Sequence, residues 1–424
     1  MPTQESIKLV FVNRYFDPDQ SATSQLLTDL ARGLAARSLR VHVVCCRQLY
    51  LDRDAKLPSH ETISGVTIHR VATTSFGRGR LLGRAIDYAS YYLATAWALV
   101  RMLDAGDVLV ALTDPPLISI LAAPIARLRK ARLVNWQQDV FPEVASQLGA
   151  NPLPRRLDRL LRRARNASMR GAAMNVLISE RMSEYFAHNG VPASQLCVIE
   201  NWADPASVTP KPVSSSALRA RLGLADRFVV CYSGNLGRAH EFDTFLVAAE
   251  ELRADRSIAF LMIGGGAKME ELQRLVDARK LENFVFLPYQ AREDLGDSLA
   301  AADIHLVSLL PTLEGLIMPS KLYGILAAGR PAIFIGDVDG DVARVIRGAR
   351  CGSTVPIGAS NDLVELLRIY QRDPETRAAM GERARDLLLG RYTMGSAIEK
   401  WSAVPGIKPA HPNAAAALPR PSDQ

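Results

Sequence analysis

Glu314, Ser320 and Lys321 share the run EGLIMPSKLYGILAAGRP at residues 314–331. An acid, a hydroxyl and a cation meet there at what reads as the start of a helix, with Pro319 opening it and Gly329 and Pro331 closing it. A helix start offers unpaired N–H groups and about half a positive charge, and Lys321 in its first turn adds a full one. That combination suits an anion such as the diphosphate of a nucleotide sugar. An isolated Ser-Lys pair is more often simply exposed, so the neighbourhood has to carry the assignment. Asp139, after Gln137 and Gln138, is a candidate acid/base or sugar-hydroxyl acceptor, or else a turn cap. Gly264, Gly265 and Gly266 would let a phosphate or sugar approach backbone.

These residues need strands and helices to hold them, and the pattern supplies βα units. Residues 7–12 are a short run of β-formers, read as a buried strand. The loop NRYFDPDQS, with Asp17 and Ser21, leads to a helix over 22–37, and a strand over 41–45 closes the unit. Ser21 or Thr23 reads as a helix cap or a lining of a ligand cleft. The loop lacks GxGxxG, which argues against a dinucleotide there. Further strands fall at 66–71, 107–112, 132–136, 174–178 (with Ser179 capping the next helix) and 196–199. Asp139 and Gln138 stand at the carboxyl end of one of them, where parallel sheets place their chemistry.

A Pro/Ser/Lys-rich segment near 205–216 marks a domain boundary. A second βα series begins with a strand at 228–232 and Ser233-Gly234-Asn235. It continues through 258–263 with the three glycines, 284–287 leading to Tyr289 and Gln290, 303–309 leading to Glu314, and 332–335. Residues 361–390 read as helical, 394–403 as a last helix, and the Pro/Ala-rich stretch from 405 as disordered. Asp337 and Asp339 are discounted as a metal site, since no third ligand accompanies them.

The chain has 424 residues and a net charge of +7. Residues 1–205 hold 25 Lys and Arg against 18 Asp and Glu, and the remainder is balanced, so the whole excess belongs to the first half. That half should face something acidic. Residues 155–170, RRLDRLLRRARNASMR, read as a helix with Arg155, Arg156, Arg159, Arg162, Arg163 and Arg170 on one half. Leu157, Leu160 and Leu161 fall on the other. A solvated face or an anionic membrane fits these charges, and no nucleic-acid recognition pattern accompanies them. The helix within 75–103, led by Arg78, Arg80 and Arg84, is apolar nearly all round and reads as core or membrane-interfacial. Its longest uncharged run, 88–100, is too short to span a bilayer. Five cysteines without CxxC read as reduced core residues, hence cytoplasmic, and no signal-peptide pattern opens the chain.

The segments RYFDPDQSATSQLLTDLARGLAARSLRVHVV, TDPPLISILAAPIARLRKARLVNWQQDVFPE, VLISERMSEYFAHNGVPASQLCVIENWAD, YSGNLGRAHEFDTFL, MIGGGAKMEEL and PSKLYGILAAGRP occur in this order. In that order they resemble family 4 glycosyltransferases, closest to the subgroup that includes L-fucosamine transferases of surface-polysaccharide pathways. The resemblance covers residues 7–403. It implies an α/β protein of GT-B fold, two Rossmann-like domains facing across a cleft. Residues 1–205 would bind acceptor and 206–391 the nucleotide sugar, with the helix at 392–404 crossing back to the first domain and 405–424 a tail.

The implied activity is a retaining hexose transfer from a UDP-sugar, without metal or other cofactor, to a sugar hydroxyl on a polyprenyl-diphosphate-linked glycan. The implied place is the inner face of the cell membrane. The resemblance makes Asp139, Glu314 and Lys321 the catalytic set. Gly234, Asn235, Gly264, Gly265, Gly266, Tyr289, Gln290, Ser320 and Tyr323 join Glu314 and Lys321 around the donor. Asp17, Ser21, Thr23 and Gln138 line the acceptor side. The family's diphosphate-binding Arg and Lys fall at Asn235 and His240, and its ribose-binding glutamate at Gly324. Lys321 is then the cation left for the diphosphate. Two other readings stay open: a nucleotide-sugar 2-epimerase on the same fold, and a catalytically silent partner of a glycan-assembly complex.

Overall fold

The structure is a computed structural model, and it describes residues 7–50, 52, 54–76, 81–150 and 153–407. It divides into two compact units, one of residues 1–145, 151–200 and 394–424, the other of 146–150 and 201–393.

The first unit contains, in chain order, β1 (Lys8–Val12), α1 (Ala22–Ala35), β2 (Arg40–Cys46), β3 (His60–Ile63), β4 (Val66–Val71), α2 (Leu81–Met102) and β5 (Val108–Ala111). Then come α3 (Ile118–Leu128), β6 (Arg132–Gln137), α4 (Glu143–Gln147), α5 (Arg155–Arg170), β7 (Met174–Leu177), α6 (Glu180–His188) and β8 (Leu196–Val198). The eight strands lie in the order β3-β4-β2-β1-β5-β6-β7-β8. All neighbours are parallel except β3, which turns back antiparallel on β4. Continuous apolar runs such as Val108–Ala111 are fully buried, as strands covered on both faces must be. α3 packs between α2 and α5. Ser179 caps α6 as its type predicts, its hydroxyl accepting from Met182 N–H at 3.2 Å.

The second unit holds α7 (Ala217–Arg221), β9 (Phe228–Asn235), α8 (Asp243–Glu251), β10 (Ile258–Gly265), α9 (Met269–Ala278), β11 (Phe284–Leu287) and α10 (Leu295–Ala300). It continues with β12 (Ile304–Ser308), α11 (Lys321–Ala327), β13 (Ala332–Ile335), α12 (Asp341–Ala349), β14 (Gly352–Val355), α13 (Ser360–Arg372) and α14 (Pro374–Arg391). Its six strands are parallel in the order β11-β10-β9-β12-β13-β14. Each sheet has one switch point, where successive connections leave in opposite directions: between β1 and β5, and between β9 and β12.

The last helix, α15 (Met394–Ser402), belongs to the first unit and packs on α1. Trp401 is fully buried, edge-on to Trp136 at 4.9 Å and to Phe11 at 6.3 Å. Lys400 pairs with Glu200 at 2.7 Å, and Gly33 of α1 lies so close to Ile398 that a Cβ there would stand 2.2 Å from its Cδ1.

Several expectations are corrected. α12 and the strands β3 and β14 escape the periodicity reading, because their runs are short and carry polar residues. The helical stretch 361–390 is two helices: Asp373 breaks it and caps α14, accepting from Thr376 N–H at 2.9 Å ahead of Pro374. Pro319 lies before the cap of α11 rather than inside it. Residues 405–407 are ordered, with Ile407 1% exposed, and residues 408–424 of the expected tail lie outside the described residues.

The two-faced reading of α5 also changes. Leu160 is 60% and Leu157 40% exposed, whereas Arg165, Ser168 and Met169 are buried. Arg165 is held by Glu143 at 2.5 and 2.9 Å, which satisfies both buried charges. Arg162 also points inward, to Glu143 at 3.0 Å and Asp158 at 2.7 Å. Arg78 and Arg80, and the Arg84 side chain, lie outside the described residues.

Candidate functional site

In the second unit, chemistry gathers at the carboxyl ends of β9, β10 and β11 and at the start of α11. Lys321 enters from α11, whose N-terminus comes after β12, and reaches back across the switch point to β9. Its ammonium stands 3.7 Å from the centre of the Tyr232 ring, donates to the Tyr232 hydroxyl, and lies 3.4 Å from the Asn235 carbonyl. The Tyr232 hydroxyl in turn donates to that carbonyl at 3.0 Å. Gly234 lies under the Lys321 stem; a Cβ there would stand 3.7 Å from Cε. Burial pushes the Lys321 ammonium well below its usual range, and burial likewise raises the Tyr232 hydroxyl. A half-buried cation held, among the described residues, by neutral oxygens is a site that gains from an arriving anion.

His240 and Lys268 continue the cluster. His240 Nδ1 donates to the Ser308 carbonyl at 2.5 Å, and burial, then the Lys321 charge, holds its imidazole down to about 3, so it is neutral. Lys268, just before α9, donates to the His240 carbonyl at 2.7 Å. The loop 235–240 is thus flanked by two lysines. Tyr289, 62% exposed, spreads its ring over Gly265, where a Cβ would stand 3.1 Å from the ring edge. Gln290 donates from Nε2 to the Pro288 carbonyl at 2.8 Å.

The glycines serve the protein's own packing. Gly234 and Asn235 pair with Gly264 and Gly265 as the last residues of β9 and β10, not as loop. A Cβ on Gly264 would lie 2.2 Å from the Gly234 carbonyl oxygen, and one on Gly266 (φ 122°) 2.3 Å from Asn235 Oδ1. Close approach of two strand ends therefore accounts for them without a ligand.

Other expected residues point elsewhere. Glu314 turns its carboxylate to the start of α12, accepting from Asp341 N–H at 3.1 Å, with Gly340 packed against it. An acid there complements the helix dipole, which is a positioning role. Tyr323 is buried, edge-on to Tyr392 at 5.2 Å, so its ring is core rather than donor surface. Ser320 is exposed and occupies the cap position of α11 without a side-chain bond. Gly324 faces Leu299, where a Cβ would make ordinary contact at 3.5 Å.

In the first unit, the counterpart lies at the switch between β1 and β5. Arg14 is 7% exposed and lies over the rings of Tyr88 (4.8 Å) and Tyr15 (5.3 Å). Its N–H bonds the Asp114 carbonyl at 2.6 Å. Asp139 lines a small cavity with Thr113, Gln137 and Arg165, and burial, then the Asp114 charge, raises its carboxyl to about 6. Gln138 is buried, its N–H donating to Thr113 Oγ1 at 3.3 Å. Asp17 pairs with Arg32 at 3.0 Å. Ser21 precedes α1 but spends its hydroxyl on Asp19 Oδ1 at 2.5 Å, so it is not a side-chain cap. Thr23 is half-buried in the first turn of α1.

Sequence reasoning misses Tyr232, Lys268, Arg14 and Asp114. In the sequence Tyr232 is simply the end of an apolar strand, and Lys268 part of a helix. Their signal is position: each stands within a few residues of a strand's carboxyl end. Among the described residues no group of three or more metal-ligating side chains occurs.

Residues 22–202 match the family described as Glycosyl transferase 4-like domain, and residues 215–387 the one described as Glycosyl transferases group 1. The chain is 28% identical over 333 residues to the probable glycosyltransferase WbjE of Pseudomonas aeruginosa, covering 77% of this chain and 81% of that protein. To the putative colanic acid biosynthesis glycosyl transferase WcaI of Escherichia coli K12 it is 30% identical over 219 residues, 50% of this chain and 53% of that one. Among solved structures, HepE of Anabaena in complex with UDP-glucose superposes with a TM-score of 0.69 at 16% identity, over 93% of this chain and 98% of that one.

Proposed function

We infer the reaction from one premise: the chain belongs to the glycosyltransferases of bacterial polysaccharide biosynthesis, with a 4-like and a group 1 domain on a GT-B fold. The proposed reaction is transfer of a hexose, N-acetylated amino and deoxy sugars included, from a nucleoside-diphosphate sugar to a sugar hydroxyl. The donor is UDP-linked, a reading supported by the UDP-glucose bound to HepE. The acceptor is a glycan on a polyprenyl diphosphate at the inner membrane face, and the anomeric configuration is retained. The six ordered segments from RYFDPDQS to PSKLYGILAAGRP support reading the chain as similar to the L-fucosamine transferase-like subgroup.

The observation that carries the donor reading is Lys321 at the β9/β12 switch point, where α/β sheets bind their ligands. Lys321 and Lys268 take the diphosphate beside the loop 235–240. The exposed Tyr289 ring receives the base, since an aromatic face over glycine is a stacking surface. Glu314 holds α12 in register with α11. As the bond between the anomeric carbon and the β-phosphate oxygen breaks, charge grows on the diphosphate, and the Lys321 ammonium stabilises it. The acceptor oxygen bonds to the anomeric carbon on the face the diphosphate leaves, and the hydroxyl proton passes to the proposed base, the Asp139 carboxylate. Asp139, its carboxyl raised to about 6, is the proposed acid/base on the acceptor side.

The test is incubation with radiolabelled UDP- and GDP-sugars and a polyprenyl-diphosphate-glycan fraction. Label in the lipid phase supports the reading. Interconversion of the free donor, or donor binding without turnover, would sink it.

A further inference from the structure

The outer surface of α2, α3 and α5 carries an apolar stripe that no described residue of the first unit covers. Leu82 (74%), Ile86, Leu93 (72%), Trp97 (61%) and Val100 of α2 are all exposed. At 100° per residue they fall within about 60° of one another, a line roughly 27 Å long. The opposite side of α2, with Asp87, Tyr91, Thr95 and Leu99, is buried against the sheet. The expectation of a helix apolar all round is thereby divided into a core face and an open face. On the neighbouring α3 Leu128 is 70% exposed, and on α5, one helix further, Leu157 and Leu160 are exposed as well. Exposed apolar residues on three successive packed helices mark an interaction site.

The charges around it identify the partner. Arg101 at the end of α2, Arg127 of α3, and Arg155, Arg156, Arg159, Arg163 and Arg170 of α5 are exposed. The acids of these three helices are Asp87, which is buried, and Asp158, which is bonded to Arg162. Arg101 lies 3.8 Å over the Trp97 ring, so an indole and a guanidinium share one end of the stripe. Leucines and a tryptophan flanked by arginines, with no exposed acid among the described residues of these helices, suit a surface that is apolar below and anionic above. A second copy of the chain fits poorly, because a two-fold contact would set these arginines against each other. Among the described residues no helix is long and apolar enough to cross a membrane, so contact would be by lying on the surface.

We propose that the α2–α3–α5 surface docks the protein on an anionic lipid bilayer, with Leu82, Ile86, Leu93 and Trp97 entering the acyl boundary and the α5 arginines on the headgroups. The docking needs neither donor nor acceptor, so it stands or falls separately from the sugar-transfer reading.

The full chain is sedimented with phosphatidylcholine vesicles with and without about 30% phosphatidylglycerol. Expected are binding to the anionic vesicles only, and at least ~100-fold weaker binding for Arg156→Gln/Arg159→Gln/Arg163→Gln and for Leu93→Glu/Trp97→Glu. Both variants change exposed side chains and should melt as the parent does. The parent offers a second readout. Of its four tryptophans, Trp136, Trp202 and Trp401 are buried and Trp97 is exposed, so quenching by brominated lipids reports Trp97. Quenching is expected. Equal binding to neutral vesicles, unchanged binding of either variant, absence of quenching, or a solution dimer abolished by Leu93→Glu/Trp97→Glu would each overturn the proposal.

Discussion

Lys321, the first residue of α11, rests its ammonium 3.7 Å from the centre of the Tyr232 ring and donates to that tyrosine's hydroxyl. The two residues are far apart in sequence and meet because β9 and β12 are neighbours in the sheet. The tyrosine gives the cation a π face and an oxygen but no negative charge, which leaves the charge itself for a ligand.

Lys321→Met should therefore weaken UDP binding at least ~100-fold, in keeping with loss of one charge-assisted contact in a poorly solvated site. Tyr232→Phe should keep the charge and lose much less. Titration calorimetry measures both. Because burial lowers the Lys321 ammonium in the free protein and a diphosphate would restore it, UDP binding should take up protons at pH values between the lowered Lys321 range and the ordinary lysine range. Calorimetry in buffers of differing ionisation heat reads that uptake, and zero uptake would remove the charge argument.

In its proposed role as base, Asp139 sets the expected pH dependence of turnover. A base whose carboxyl is raised to about 6 must lose its proton to act, so the rate should rise with pH through about 6 and level off above it. Asp139→Asn should lower the rate ~100-fold or more and abolish that limb, while UDP binding to the second unit is unchanged. A limb that persists in the variant assigns it to another group.

Histidine burial predicts the acid side of stability. His42, beside His69 at 3.0 Å, is held down to about 4 by burial and then by His69. His305 is likewise held near 4 by burial. Their folded-state values lie below the unfolded one, near 6.5, so the unfolded chain binds more protons between the two. Stability should be complete above pH ~6.5 and fall as pH drops toward ~4. Urea midpoints across this range test it, with His42→Gln flattening the slope.

Trp401 ties α15 to the sheet through Trp136 and Phe11. Trp401→Ala should cost about 3–5 kcal/mol, as for other large buried aromatics. By contrast, Gly324→Ala places a methyl at ordinary contact distance inside α11 and should gain about 0.5–1 kcal/mol. Chemical denaturation measures both, and a stable Trp401→Ala protein would refute the anchoring role.

Much of this protein is legible in its sequence. Apolar runs such as Val108–Ala111, divided by amphipathic helices, already encode two parallel α/β sheets, because strands covered on both faces must be apolar throughout. Lys321 at a helix start and Asp139 past a strand end are visible for the same local reason. The tertiary structure decided what these residues touch. Periodicity could not say that Lys321 would lie on Tyr232, that Glu314 would be turned to α12, or that Tyr323 would be core, since those partners come from strand order. It gave the outward face of α5 only in part. Arg155, Arg156, Arg159, Arg163 and Arg170 are exposed as the pattern assigns them, but Arg162 turns to Glu143, Arg165 is buried against the same carboxylate, and Leu157 and Leu160, assigned inward, stand in the open.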